Sequence, residues 1–221
     1  MTLADMCFTY LNQTPNWLPK PPGSVTLYSN EGAALAALIV ERVTQMSYEQ
    51  YVKEKIIKPL SIDATKTGFR LADFENREEL VEHYLYAFNV SFLEAWKQAM
   101  PQLNITQIPG NFPTWLRIPF FSVIDYPAGL LRMSARSLSV FLRMFINNGS
   151  SLLHPRSILE MRKVVGDGNI PYYDPNPSSN NTSPLLTHYG LIWYWQTASN
   201  GRRYIGHGGT LPGNNSYNCY Y

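Results

Sequence analysis

The sequence predicts an α/β fold of the α+β type, in which an antiparallel sheet is flanked by helices. Two observations predict helices, because apolar residues recur at helical spacing after Asn30 and again after Ser134. A third observation predicts the sheet, since β-prone runs lie on both sides of Asn200-Gly201, a strong hairpin signal. We therefore expect residues 30–165 to be mainly helical, with a variable insertion, and residues 187–221 to form the sheet.

The composition favours a globular fold and excludes several classes of function. The chain has 221 residues, of which 45% are hydrophobic and 15% charged, so it fits one domain or most of a larger one. Its net charge of +2 and the lack of a Lys/Arg run predict no nucleic-acid partner. The apolar run from Ala33 to Val40 is too short to span a membrane, and the first residues predict no signal peptide.

The first residues predict one helix, followed by an irregular stretch. A helix over residues 1–11 would place Leu3 and Met6 on one face. Pro21-Pro22-Gly23 cannot lie inside a helix or a central strand, so it marks a turn. We expect residues 25–28 after it to be extended.

Two capped helices are predicted next. Asn30 is a good N-cap for a helix that ends near Thr44. Ser47, with Gln50 three residues later, forms a capping box, so a second helix should begin there. This helix should run to about Ile57, because a proline follows shortly after it.

The middle of the chain gives weaker patterns, and its later part gives clearer ones. Helical character is predicted for residues 75–87 and 92–100, whereas the proline-rich stretch 101–121 is predicted to be a loop. The apolar stripe that follows Ser134 predicts a helix to about Asn147. Another helix is expected over 154–164.

The last part of the chain predicts a surface loop and then strands. Residues 166–183 are rich in Gly, Pro, Asn and Ser, which is typical of a surface loop. Strands are predicted over 189–196, 202–205 and 216–221, with a turn at 199–201 between the first two. No internal repeat and no domain linker is evident.

Several short motifs occur in one characteristic order. They are Tyr28-Ser29-Asn30-x-Gly32, Ser47-Tyr48-x-x-Tyr51, Lys58-Pro59-Leu60, Tyr126-Pro127-Ala128-Gly129 and residues 206–213, Gly-His-Gly-Gly-Thr-Leu-Pro-Gly. This series resembles the β-lactamase-related serine hydrolases, which include class C β-lactamases, D-alanyl-D-alanine carboxypeptidases and esterases. The resemblance implies a β-lactamase/transpeptidase-like fold, of which residues 1–221 would form a partial domain.

The resemblance also implies roles for particular residues. Tyr28 would be the proton-transfer tyrosine, and Asn30 would hydrogen-bond the substrate. His207, Gly208 and Gly209 would form the edge-strand wall of the cleft, where the two glycines contact substrate. The N–H of Thr210 would donate to the oxyanion. We expect the Tyr28 phenol and the His207 imidazole to face each other across a slot shaped for an acyl group.

The nucleophile of this family is missing from the sequence. Family members use a serine in Ser-x-x-Lys, and no such motif occurs here. Losing the nucleophile costs a serine protease about 10⁶ in turnover, so the chain by itself should be catalytically silent. We expect the nucleophile to lie on upstream sequence of a longer protein. The alternative is a non-catalytic binding or scaffold module, because Leu130 and Ser137 depart from the family pattern.

The third motif has histidine where the family commonly has lysine, and this bears on the substrate. A histidine side chain does not carry the permanent positive charge of a lysine, so His207 would hold a substrate carboxylate weakly. That favours a small-molecule or peptide substrate with an ester or amide bond over an anionic β-lactam. Lys66-Thr67-Gly68 has the lysine form of this motif, but it follows the second helix directly and is predicted to be a turn.

The remaining histidines predict no metal site, and the two cysteines leave one alternative open. His83, His154 and His188 have no metal-ligand spacing, and no cofactor motif is evident, so no metal or cofactor is predicted. Cys7 and Cys219 are too few for a disulfide scaffold, although a bridge between them is left open.

Glycosylation sequons are unusually frequent. They begin at Asn12, Asn89, Asn104, Asn148, Asn180, Asn181 and Asn214, where chance predicts roughly two. We therefore hypothesise that the protein, or a longer form of it, passes through a eukaryotic secretory route. The alternative is that loops rich in Asn and Ser produce the motifs by chance.

Overall fold

The computed structural model describes residues 1–173 and 188–220, which combine helices with antiparallel sheets as predicted. The helices are α1 (Leu3–Leu11), α2 (Asn30–Thr44), α3 (Tyr48–Val52), α4 (Val90–Ala99), α5 (Ala135–Ile146) and α6 (Pro155–Arg162). The strands are β1 (His83–Ala87), β2 (Thr106–Gln107), β3 (Thr114–Ile118), β4 (Tyr194–Thr197), β5 (Arg203–Leu211) and β6 (Asn214–Tyr220). They form two three-stranded sheets, in the orders β1-β3-β2 and β4-β5-β6.

The residues group into two compact units. The first unit contains Met1–Phe74, Ile124–His207 and Asn218–Tyr221, and the second contains Glu75–Val123 and Gly208–Tyr217. Strand β5 is therefore divided between them: its residues up to His207 belong to the first unit, and its residues from Gly208 onward belong to the second.

Helix α1 packs against α2 through the face that the sequence predicts. Leu3, Met6 and Cys7 are buried against Ala34, Ala37 and Leu38. The helix begins with a capping box, since the Thr2 hydroxyl accepts a hydrogen bond from the Asp5 N–H and the Asp5 carboxylate accepts one from the Thr2 N–H. These two hydrogen bonds lower the pKa of the Asp5 carboxyl.

The N-cap of α2 is Ser29, and the prediction that Asn30 has this role was wrong. The Ser29 hydroxyl accepts a hydrogen bond from the Gly32 N–H at 2.9 Å, and Asn30 is the first helical residue. Both residues are good cap formers, and a sequence pattern locates the end of a helix only to within one or two residues. The consequence is that the Asn30 side chain is available for another partner.

Removing the Ser29 hydroxyl tests this assignment. Ser29→Ala is expected to lower the free energy of unfolding by about 1 kcal/mol, because a backbone N–H of the first turn loses its acceptor. Ser29→Thr, which keeps a hydroxyl that can accept from the Gly32 N–H and donate to the Glu31 carboxylate, is the matched control and should change stability little. Urea unfolding measures both. If Asn30→Ala lowered the free energy of unfolding by this amount and Ser29→Ala did not, Asn30 would be the N-cap.

The second predicted helix begins as expected but changes its hydrogen bonding after one and a half turns. The Ser47 hydroxyl accepts from the Gln50 N–H, and α3 continues into a π-helical turn over Lys53–Ile57. The chain then turns before Ile62, whose N–H reaches back to the Ile57 carbonyl at 3.1 Å. Pro59 thus follows the helical stretch, as the sequence predicts.

The core of the first unit joins α5 and α6 to the β4–β5 hairpin. Phe145 is fully buried, and its ring stacks on Trp193 with centroids 4.3 Å apart. Ile158 from α6 and Ile205 from β5 complete this core. Ser134 caps α5 by accepting from the Ser137 N–H, as the sequence predicts.

The β4–β5 hairpin is confirmed, although its strand bounds differ from the predicted ones. Residues 189–193 are not strand, because the Gly190 N–H bonds the Trp193 carbonyl at 2.6 Å and makes a turn before Tyr194. Strand β5 instead continues to Leu211. The turn uses Gly201 with a φ of 77°, a conformation that glycine adopts without strain.

The second unit corrects two predictions. Residues 75–87 were predicted to be helical and 101–121 to be a loop, but they contain β1, β2 and β3. Strands β1 and β3 pair antiparallel, with His83 opposite Ile118 and Ala87 opposite Thr114. Their side chains alternate between buried and exposed along each strand, which is the period of a half-buried sheet.

The remaining predictions for the later chain are partly tested. Helix α6 is confirmed, with His154 as its N-cap. The predicted surface loop 166–183 begins with a 3₁₀ turn over Val165–Gly168, and residues 174–187 lie outside the described residues. The sequons at Asn180 and Asn181 are among these.

Candidate active site

A short extended segment positions the first candidate residues. The Thr26 N–H bonds the Pro171 carbonyl at 2.9 Å, and the Tyr173 N–H bonds the Thr26 carbonyl at 2.8 Å. The Tyr28 N–H donates to the Tyr172 hydroxyl at 3.3 Å. Residues distant in sequence thus fix the backbone immediately before α2, where the candidate side chains lie.

Tyr28 and Asn30 form a hydrogen-bonded pair. The Tyr28 hydroxyl donates to Asn30 Oδ1 at 2.6 Å. This contact is possible because Ser29, and not Asn30, caps the helix. Tyr28 remains 43% exposed, so its ring is accessible to a ligand from one side.

His207 lies beside this pair. The rings of Tyr28 and His207 have centroids 5.9 Å apart, and the Tyr194 ring lies 5.5 Å from His207. Separations of this size are those of aromatic rings in contact. The structure therefore brings Tyr28, Asn30 and His207 together, but the expected slot between the two rings is absent, because they touch.

The environment of Tyr28 opposes ionisation. Burial, followed by the negative charges of Asp125 and Glu31, raises the pKa of the Tyr28 phenol. Burial also raises the pKa of Tyr189, which lies in the same cluster. A phenol whose pKa is raised stays protonated at pH 7, and an approaching cation would lower that pKa.

Sequence reasoning missed three tyrosines that surround the pair, namely Tyr172, Tyr189 and Tyr194. For Tyr194 a signal existed. A hairpin centred on Asn200 places residue 194 opposite 206, next to His207, and this is the observed register. For Tyr172 no local signal existed, because it meets Tyr28 across 144 residues of sequence.

A pocket of about 320 Å³ opens beside His207. Its other lining residues are apolar: Leu138, Phe141, Leu142, Met161, Leu191, Ile192 and Trp193. Ile192 has a φ of 70°, which is strained for a β-branched residue, and its side chain is 59% exposed. The space next to the imidazole is thus apolar and open to solvent.

Gly208, Gly209 and Thr210 follow His207 on β5. Their backbone positions belong to the second unit, and their predicted roles as cleft wall and oxyanion donor stay predictions. The described part of the chain groups no three His, Cys, Asp or Glu side chains that could hold a metal ion. Among residues 1–173 and 188–220, no helix combines the length and apolarity that a membrane span requires.

The two departures from the family pattern lie in different surroundings. Leu130 is 3% exposed, so its side chain fills the interior of the molecule. Ser137 is half-buried on α5 and accepts a hydrogen bond from the Ser134 hydroxyl. Lys66-Thr67-Gly68 was predicted to be a turn, but the turn comes before it, since the Lys66 N–H bonds the Asp63 carbonyl, and Gly68 pairs with Arg132. A side chain at Gly68 would overlap Asp73, with a Cβ only 2.4 Å from the Asp73 Cβ.

Comparisons with known proteins agree with the fold. The model of the beta-lactamase family matches residues 4–221. Protein flp of Staphylococcus aureus (strain NCTC 8325 / PS 47) is 22% identical over 173 residues, which are 77% of this chain and 30% of flp.

Solved structures show the same fold. The octameric penicillin-binding protein homologue from Pyrococcus abyssi superposes with a TM-score of 0.71 and 20% identity, over 99% of this chain and 41% of that one. The D-amino acid amidase from Ochrobactrum anthropi SV3, complexed with D-phenylalanine, gives a TM-score of 0.61 and 22% identity, over 89% and 48%. The chain thus spans less than half of each of these proteins.

Proposed function

Because the chain belongs to the beta-lactamase family, we propose that it supplies the tyrosine and histidine side of the acyl-transfer site of a serine hydrolase. The observation that carries this proposal is the convergence of Tyr28, Asn30 and His207. These residues come from two parts of the chain, and their side chains meet within one unit.

In this proposal each residue has one task. Tyr28 transfers the proton of the attacking serine, and its hydrogen bond to Asn30 fixes the phenol. Asn30 also offers its amide to the substrate. His207, Gly208 and Gly209 line the substrate, and the Thr210 N–H donates to the oxyanion that forms during acyl transfer.

The nucleophile is proposed to come from a Ser-x-x-Lys segment in a longer form of the protein. The chain covers 30% of flp and 41% of the Pyrococcus abyssi homologue, which leaves room for such a segment. The raised pKa of Tyr28 supports this, because a nearby lysine would lower that pKa and let the phenol accept a proton.

The proposed substrate is an ester, amide or peptide. The pocket beside His207 is lined by apolar side chains, and an anionic group placed there would lose its hydration without gaining a paired charge. Neutral acyl groups suit this surface better than the carboxylate of a β-lactam does.

Covalent labelling tests the proposal. A fluorophosphonate probe is expected to label the serine of Ser-x-x-Lys in the longer form and to leave residues 1–221 unlabelled. A chain with the serine replaced by alanine is the matched control. Labelling within residues 1–221 would contradict the account of the nucleophile. An unreactive longer form that still binds a substrate analogue would favour the alternative, a non-catalytic binding module.

We also propose that the protein is glycosylated on a secretory route. The asparagines of the sequons at positions 12, 89, 104 and 148 are all exposed, as glycosylation requires. The side chain of Asn214 lies outside the described part. Protein made in a eukaryotic secretory host should lose mass when treated with a glycosidase.

A further inference from the structure

The outward face of the sheet in the second unit is aromatic. Tyr84, Tyr86 and Phe88 alternate along one face of β1 and the residue after it, and Trp115 lies opposite Tyr86 on β3. The Phe88 ring is 68% exposed and that of Trp115 is 51% exposed. The Tyr86 ring contacts both, with centroids 5.2 Å from Phe88 and 5.1 Å from Trp115. We call these four residues the aromatic face.

Such a face is unusual for a sheet side that meets water. The solvated face of an antiparallel sheet is normally polar, and contiguous exposed apolar groups usually mark a surface that something covers. At one end the face is polar, since Tyr84 donates to Glu82 and Arg117 pairs with the same carboxylate. At the Phe88 end the side chains of Phe88, Tyr86 and Trp115 meet through their rings, so this is the more apolar end.

A glycosylation sequon begins at the residue after Phe88. Asn89, Val90 and Ser91 are all exposed, at the junction of β1 and α4. The Asn89 Oδ1 accepts a hydrogen bond from the Phe92 N–H at 2.9 Å, and the Phe88 ring lies 6.3 Å from the Phe92 ring. The Asn89 amide and the Phe88 ring therefore converge on the first turn of α4.

This geometry is compatible with a sugar on Asn89. The cap uses Oδ1, whereas N-glycosylation uses Nδ2, so the cap and the glycan do not compete. In the transfer from a lipid-linked pyrophosphate oligosaccharide, the bond between sugar C1 and the phosphate oxygen breaks and the bond from Nδ2 to C1 forms. The proton of Nδ2 leaves, and the lipid pyrophosphate is the leaving group. A pyranose has an apolar face that can pack on an aromatic ring.

We propose that Asn89 carries an N-linked glycan whose first sugar packs on Phe88 and covers this end of the aromatic face. The inference rests on the glycosylation part of the proposed function. It adds a site and a structural task for that site, which is to shield exposed rings and to hold the junction of β1 and α4.

The test uses the chain secreted from a eukaryotic host, with its glycans trimmed enzymatically to the first sugar. Occupancy of Asn89 is read from the mass of the peptide that contains it. Ser91→Ala provides the unglycosylated form with the Asn89 cap intact. The sugar on Asn89 is expected to raise the midpoint of thermal unfolding by about 2–4 °C, and by less than about 1 °C when Phe88 is replaced by alanine.

Tyr84→Ala is the matched control, because Tyr84 lies on the same face but four residues, about 13 Å, away along the strand. The shift due to the sugar should persist in that variant. An equal shift in the Phe88→Ala background overturns the packing and leaves glycosylation standing. An unoccupied Asn89 beside other occupied sequons overturns the site. Protein without any glycan overturns the glycosylation proposal as well.

Discussion

Replacing Tyr28 by phenylalanine, in a form that carries Ser-x-x-Lys, is expected to slow acylation by about 10²–10⁴. The variant keeps the ring that contacts His207 and removes the hydroxyl that would transfer the proton. Stability should change little, because Tyr28 is 43% exposed and its hydroxyl donates to the exposed side chain of Asn30. Pre-steady-state kinetics with a chromogenic ester measure the acylation rate.

Two controls separate proton transfer from general disturbance. Tyr84→Phe removes a tyrosine hydroxyl in the second unit, where it binds Glu82, and should leave acylation unchanged. Tyr172→Phe removes the hydroxyl that accepts the Tyr28 N–H, so it should lower the rate less than Tyr28→Phe does. An acylation rate within twofold of the parent in Tyr28→Phe would remove Tyr28 from its proposed role.

The helices of the first unit could be predicted because their signals are local. A cap residue and an apolar stripe fix α2 and α5 within a few residues of sequence. The error at Asn30 has the same origin, since Ser29 and Asn30 are adjacent residues that both cap helices well. Only the geometry shows which hydroxyl or amide accepts the Gly32 N–H.

The sheet of the second unit could not be predicted in the same way. Strand β1 is stabilised by pairing with β3, about thirty residues later, and that partner is not visible in a local window. Its exposed positions carry Tyr84 and Tyr86 where a polar residue would have revealed the alternation. Because these exposed positions are aromatic, the sequence of β1 lacks the alternation of polar and apolar residues that would have predicted a strand.

The proximity of Tyr28 and His207 was predictable, and the arrangement of their rings was not. Motif order singled out Tyr28 and His207, and the structure places their rings 5.9 Å apart. The slot expected between them required knowledge of how two segments approach, which sequence does not contain. The contact between Tyr172 and Tyr28 could not be predicted for the same reason, because it depends on the bridge between Thr26 and Tyr172.

Replacing Phe145 by alanine is expected to lower the free energy of unfolding by about 3–5 kcal/mol, because a large buried side chain is lost from the core. The ring is fully buried and stacks on Trp193, and the Arg162 guanidinium lies 5.1 Å from its centroid. The cavity would open between α5 and the β4–β5 hairpin, which share this core. Urea unfolding followed by tryptophan fluorescence reports the loss.

The neighbouring residue on α5 provides the control. Ile146 is 44% exposed, so Ile146→Ala should change the free energy of unfolding by less than about 0.5 kcal/mol. A similar loss for the two variants would show that α5 does not pack as described. Because β5 carries both Ile205 and His207, a core weakened at Phe145 should also loosen the support of the imidazole. The proposed active site therefore depends on a packing contact in which none of its own residues takes part.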